Sequence, residues 1–320
     1  MLTFDTTEPI RRIGWNNIQL ELPSGWETIV SGDRNLLIEQ NFKPLIDLRW
    51  EKDNGRRDLS DVFLSIQNVL GKRSGCPVDK VDVPDELARL ASQTGCIAFS
   101  WAATAGPQCQ DSEQKINGVL WRCPDCDTIV IGQLYNHPTI GLNALVSALA
   151  SIRCHQDDAD ADASDSSYWS IQDIKLTLPA SCRMSAHSFQ AGLTRLTFQE
   201  NDMQLHFCRL APARQRLQQG SISQLLTNLL GKDSEYQGLY ESSHLYECIS
   251  SPPLTQQMLK RLKRQHPFRW GRIWHDEGSN RLLSVIAESS HPIDLEKVHR
   301  LCDKYEIIDS RKEHKASESP

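Results

Sequence analysis

The sequence predicts an α+β fold class: two tandem duplicated units, each an antiparallel sheet with packed helices. Three observations predict it. A stretch recurs without a gap at an offset of 160 residues, so that Asn35 to Lys72 answers to Arg195 to Lys232, with Leu36 on Leu196, Ile38 on Phe198, Leu45 on Leu205 and Arg49 on Arg209. Runs of alternating apolar and polar residues end in proline turns at Pro23 and again at Pro179. Apolar residues at helical spacing follow the strand-like runs in both copies, which is the order expected when helices lie on a sheet.

Taken in order, residues 1–14 read as an N-terminal extension with a loose start. Ile18, Leu20 and Leu22 alternate with polar neighbours before Pro23, which predicts a half-buried strand ending in a turn; Ile174, Leu176 and Leu178 before Pro179 are the counterpart. Two strands, Asn35 to Glu39 and Pro44 to Glu51, form a hairpin across a short polar connection. Leu59, Val62, Phe63, Ile66, Val69 and Leu70 predict a helix, with Asp58 as its N-cap and Gly71 as its stop. A short helix is expected over Asp85 to Ser92. The runs around Cys96 and after Gly118 then predict a second hairpin, matched in the other copy by runs around Cys248 and after Gly271. Closing helices are expected over Ile140 to Ile152 and Asp294 to Tyr305. The units are therefore drawn as 15–156 and 169–310, with 157–168 an acidic flexible linker and 311–320 a polar tail. Asp157, Asp158, Asp160, Asp162 and Asp165 alternate with Ala and Ser, and such a segment repels itself and buries too little to order.

Composition bounds the class. The chain has 320 residues, 39% hydrophobic and 24% charged, which suits two domains of about 150 residues each. No apolar run is long enough for a membrane span, no secretion signal is read at the start, and the expected location is cytoplasmic. Ten cysteines in such a chain are expected as reduced thiols. The net charge of -6 owes much to the Asp-rich linker and gives no single-sign surface for nucleic acid.

The Leu-x-Leu-Pro-x-x-Trp element from Leu20 to Trp26, followed by a hairpin, a sheet-covering helix and a closing helix near Ser151-Ile152-Arg153, resembles the Mog1/PsbP-like fold. In the second copy Arg183 or Met184 stands where Trp26 does. The resemblance implies a binding or assembly protein and carries no functional residue with it.

The sharpest chemical motif is Cys123-Pro124-Asp125-Cys126. Two cysteines two residues apart at a turn present two thiolates at the angles a zinc ion takes, which is half of a structural zinc signature. Completion would come from Cys109, His137, Cys96 or Cys154; the matching turn, His275-Asp276-Glu277-Gly278, has no thiol. Dithiol redox chemistry is the second reading, opposed by strand-like flanks where a helix N-terminus would be wanted. Ahead of both stands the plain reading, a solvent-exposed turn carrying two ordinary cysteines. His137-Pro138 and His291-Pro292 read as leads into helices. Arg49 and Arg209 read as ion pairs or as anion anchors. A basic run, Lys260, Arg261, Lys263, Arg264, His266, Arg269 and Arg272, is interleaved with Leu259, Leu262, Phe268, Trp270 and Trp274 and reads first as a solvated face.

No phosphate-binding loop, nucleophile elbow or dinucleotide fingerprint is present in the sequence. The expected function is a non-enzymatic protein-binding or assembly factor, with Trp121, Trp270, Trp274, Arg269 and Arg272 as candidate partner contacts. A protein is the expected partner and nucleic acid is not. Zinc is the one cofactor considered, on Cys123 and Cys126 with Cys109 or His137. The alternatives are a zinc or thiol protein using that knuckle, and an enzyme whose site between the units lacks a linear motif.

Overall fold

The computed structural model describes residues 9–55, 57–74, 78–103, 115–154, 166–231, 235–263 and 265–308. The chain divides into two compact units, Met1–Asp157 with Ser170–Gln172 and Ser310–Pro320, and Asp158–Trp169 with Asp173–Asp309.

In the first unit the strands are β1 (Ile10–Trp15), β2 (Ile18–Pro23), β3 (Glu27–Gly32), β4 (Asn35–Gln40), β5 (Lys43–Lys52), β6 (Val78–Lys80), β7 (Ile97–Ala103), β8 (Lys115–Arg122) and β9 (Thr128–Leu134). The helices are α1 (Leu59–Ser74), α2 (Asp85–Thr94) and α3 (Leu142–Ala150). Seven strands form an antiparallel sheet in the order β3-β4-β5-β9-β8-β7-β6. Its register puts apolar residues opposite one another, as in Leu36 with Leu48 and Ile38 with Ile46. Leu59, Val62, Phe63 and Ile66 of α1 lie against Phe99, Trp101, Leu120 and Ile129. Phe99 and Trp101 stack at 4.4 Å, and Phe63 meets both rings. Gly118 sits under this cluster because a Cβ there would enter the Phe99 ring and come within 2.5 Å of the Gly132 carbonyl oxygen.

Past α3 come β10 (Ser166–Ile171), β11 (Ile174–Pro179), β12 (Arg183–Gln190), β13 (Leu193–Glu200), β14 (Met203–Leu210), β15 (Gln237–Glu241), β16 (Leu245–Ser250), β17 (Phe268–Asp276), β18 (Arg281–Ser289) and β19 (Tyr305–Ile307). The helices are α4 (Ala213–Gln219), α5 (Ile222–Leu230), α6 (Leu254–Leu262) and α7 (Leu295–Cys302). The seven-stranded sheet of the second unit runs β12-β13-β14-β18-β17-β16-β15, the same chain order of strands as in the first. Ser221 and Gln224 close a capping box at the start of α5. From there Ile222, Leu226 and Leu230 pack on Cys208, Cys248, Ile273 and Ile286, each large side chain contributing about 1.5–3 kcal/mol of apolar burial. Gly271 lies beneath, where a Cβ would come within 3.1 Å of both Leu226 and Leu230.

The α+β expectation is overturned. The described residues form nineteen strands in three antiparallel sheets, with seven helices that are mostly short, so the protein is sheet-rich rather than two units of helix-covered sheet. The strands that the sequence reading lacks explain the difference. Edge strands such as β3, β12 and β15 see solvent widely: β15 is exposed at all five positions, so no buried face imposes alternation on it. Two further boundaries move. Ile10 to Gly14 belong to β1 and not to a loose start, and β10 begins at Ser166, inside the stretch assigned to the linker. Asp58 does cap α1, its carboxylate accepting from Ser60 N–H at 2.7 Å, but the helix runs through Gly71 to Ser74. The prolines of the His-Pro pairs stand before the helices: the N-caps are Gly141 and Asp294. Trp26 N–H donates to Pro23 O, and in the matching turn it is Cys182 N–H that donates to Pro179 O, so the small buried Cys182, not Arg183 or Met184, takes the place of Trp26. Among the described residues no helix is long and apolar enough to cross a membrane.

Candidate functional site

The β8–β9 hairpin carries the Cys-x-x-Cys turn at its tip. Cys123 N–H donates to Thr128 O at 2.9 Å and Asp127 N–H donates to Cys123 O at 3.1 Å, closing a tight loop in which Asp127 takes a positive φ of 53°. Both thiols are thereby turned to one side. A third thiol reaches them from the end of α3. Arg153 and Gln19 exchange two backbone hydrogen bonds at 2.8 Å, which fixes the chain where it leaves the helix and sets Cys154 beside the hairpin. The Sγ atoms of Cys123, Cys126 and Cys154 all lie within 4.8 Å of one another, and Cys126 and Cys154 are 3.4 Å apart. None of the three is in a disulfide.

The electrostatics of the three differ. Burial opposes the Cys126 thiolate, but hydrogen bonds from Thr128, 3.1 Å away at its hydroxyl, and from the Cys154 and Cys123 thiols outweigh it, and the pKa falls to about 7. Burial pushes the Cys154 thiol well up, and the Cys123 and Cys126 sulfurs push it further.

The other predicted ligands stand apart. Cys109 lies outside the described residues. His137 is partly buried, its Nδ1 engaged with Thr139, and it is not in the thiol cluster. Cys96 is partly buried and also apart, while Cys208 and Cys248 are core residues whose thiols burial pushes up, that of Cys248 to about 12. In the second unit the β17–β18 turn, without a thiol, still brings His275 and Glu277 together with His244; His244 and Glu277 are exposed and pair at 3.0 Å, while His275 is partly buried.

The candidate partner contacts separate. Trp270 is fully buried, its indole N–H donating to Glu247 at 2.9 Å, and it offers no surface to a partner. Trp274 is partly buried with Tyr305 edge-on at 6.0 Å, and Trp121 is partly buried on β8. Arg269 donates to the Leu230 carbonyl and pairs with Glu288, and Arg272 is partly buried on β17. Arg49 and Arg209 are each held by a carboxylate, Asp47 at 2.6 Å and Asp173 at 2.5 Å, so the ion-pair reading describes them and the anion-anchor reading does not. A cleft of about 210 Å³ between α1 and the first unit's sheet is lined by Arg49, Glu51, Arg57 and Gln133, and its charged groups are likewise engaged: Arg49 by Asp47, and Arg57 by Glu51 and Asp53.

The face that the sequence reading did not isolate is α6. None of its residues is buried, and Leu254, Met258, Leu259 and Leu262 are 77%, 69%, 58% and 81% exposed. Leu254, Met258 and Leu262 recur every four residues and line one stripe, which Leu259 widens. No acidic residue stands between Leu254 and Lys263, and Lys260, Arg261 and Lys263 fall at the helix's end. The signal was present as apolar spacing, but a stripe destined for a core and one destined for solvent look alike in sequence.

No protein-family model matches the chain. No curated protein matches it either. Among solved structures it is similar to the apo structure of immunity protein TplEi of T6SS from Pseudomonas aeruginosa, at 9% identity over 93% of this chain and 97% of that one, with a TM-score of 0.37. A likeness of that degree assigns neither a function nor a site.

Proposed function

We propose that the chain is a non-enzymatic protein-binding or assembly factor that offers α6 to a groove on a partner protein, apolar along its floor and acidic at its rim. One observation carries the reading: four large apolar side chains stand in water on one short helix with no fully buried residue. Single exposed leucines are ordinary, but a stripe of them marks an interaction surface. An amphipathic helix set into a groove uses this i, i+4 spacing of anchors. The basic end of the helix chooses the partner's charge, because Lys263 adds positive potential beside the apolar stripe and Lys260, though it has its own interaction within the chain, adds to the same net charge. Arg261 is in part committed within the chain, donating to Ser290 O at 2.7 Å.

The test places a photo-reactive residue at Met258 of the full chain in cells and a second at Gln237, an exposed position on β15. The captured protein, once identified, is purified and its affinity measured. A cross-link specific to position 258, with affinity reduced at least ~10-fold in the Leu254→Ser, Leu262→Ser variant and by added salt, supports the reading. A cross-link to a second copy of this chain, or equal capture at both positions, overturns it.

A further inference from the structure

We infer that Cys123, Cys126 and Cys154 form a three-thiolate site for a zinc ion in the first unit, with one coordination position left outside the thiol set. The geometry is the argument. In a tetrahedral site with Zn–S near 2.3 Å, sulfurs sit about 3.8 Å apart. Three sulfurs mutually within 4.8 Å, with one pair at 3.4 Å, bracket that spacing, so small side-chain rotations close the set around an ion.

Two unrelated pieces of backbone build the cluster. The hairpin turn presents Cys123 and Cys126, while the Gln19–Arg153 bridge holds Cys154 across from them. Chance contact between thiols would not need both. The chemistry of the donors points to a thiophilic ion, since three sulfurs favour zinc or copper(I) over the oxygen-seeking magnesium or calcium. On binding, the thiols give up to solvent whatever protons they still hold and three S–Zn bonds form, with no change of oxidation state. The fourth position falls to a water or to Asp125, whose Oδ2 is 4.0 Å from the Cys123 sulfur. An open fourth position distinguishes an exchangeable or ligand-accepting site from a closed structural one. This inference involves residues of the first unit alone and does not depend on α6.

The experiment uses the full chain, reduced and held without oxygen, titrated with cobalt(II) as a spectroscopic stand-in and then with zinc. One cobalt per chain, with thiolate-to-cobalt charge-transfer absorption and the intense visible bands of a tetrahedral ion, displaced by one zinc, is the expected result. Cys154→Ser should weaken zinc binding by more than ~100-fold, while Cys96→Ser should leave it unchanged. Because a variant can fail to fold, alkylation of the unaltered protein is mapped in parallel: zinc should protect Cys123, Cys126 and Cys154 together and leave Cys96 as reactive as before. No cobalt uptake by the reduced chain, zinc binding that survives Cys154→Ser, protection of Cys123 and Cys126 without Cys154, or displacement by copper(I) with no measurable zinc affinity each overturns it.

Discussion

His206 links the second unit's stability to pH in a way that can be worked out in advance. The side chain stands on β14 opposite Thr197 of β13, with its Nδ1 3.0 Å from the Thr197 hydroxyl. Burial disfavours its charged form, and Arg195, Arg269 and His266 add positive charge around it, so its pKa falls from 6.5 to about 4. Between those values the unfolded chain holds a proton that the folded chain refuses. Stability therefore rises with pH across this window and is lost as pH falls from about 6.5 towards 4. The full difference corresponds to roughly 3 kcal/mol, and about 2 kcal/mol of it is gone by pH 5 relative to pH 8.

His206→Gln removes the titration and keeps a polar partner for Thr197. Urea unfolding of both proteins, followed by tryptophan fluorescence at pH 8, 6.5 and 5, isolates the histidine from the carboxylates that titrate in both. The stability of the native protein relative to the variant should fall by about 2 kcal/mol between pH 8 and pH 5. Stability profiles that stay parallel across that range would show that His206 keeps an ordinary affinity for its proton, and the burial argument would fail.

Two substitutions probe the packing. Trp270→Phe removes an indole N–H from a buried Glu247 oxygen that also meets His299 at 2.9 Å, and should lower stability by roughly 2–4 kcal/mol in urea unfolding; a change under about 1 kcal/mol would mean the tryptophan is not the core residue described. Gly118→Ala pushes a methyl into Phe99 on one side and the Gly132 backbone on the other, and should cost about 1–3 kcal/mol, read as a lower thermal midpoint; an unchanged midpoint would show that β8 has room there.

What was legible in the sequence follows from where each segment sees water. β2 and β11 were readable because one face is buried and the other is not, so Ile18, Leu20 and Leu22, like Ile174, Leu176 and Leu178, had to alternate. α1 and α5 were readable because each lays one stripe on a sheet. β3, β12 and β15 were hidden because an edge strand's hydrogen bonds to its neighbour demand nothing of its outward side chains. Edges were not the only loss, since β1 and β10 fell on stretches assigned to a loose start and a linker, and the strands missed in both ways turned a sheet-rich protein into an α+β one.

The candidate sites divide along the same line. The Cys-x-x-Cys turn is a local pattern, and local patterns survive in one dimension. Its third thiol does not: 28 residues separate Cys126 from Cys154, and what joins them is a two-bond bridge between Arg153 and Gln19 that no spacing announces. The tryptophans failed in the opposite direction. Trp270 and Trp274 lie four apart on β17, and residues at an even spacing on a strand point the same way, so exposure of one implied exposure of both. Trp270 is 0% exposed, bonded to Glu247 and faced by the His299 ring of α7, while Trp274, equally far from the other end of the strand, meets only the edge of Tyr305 among the ring contacts and keeps part of its surface. What packs over each ring, and not the face of the strand, decides which aromatic side chain is available. Residue type alone therefore picked out a core residue, Trp270, as a partner contact, whereas the stripe on α6 owes its meaning to its exposure among the described residues.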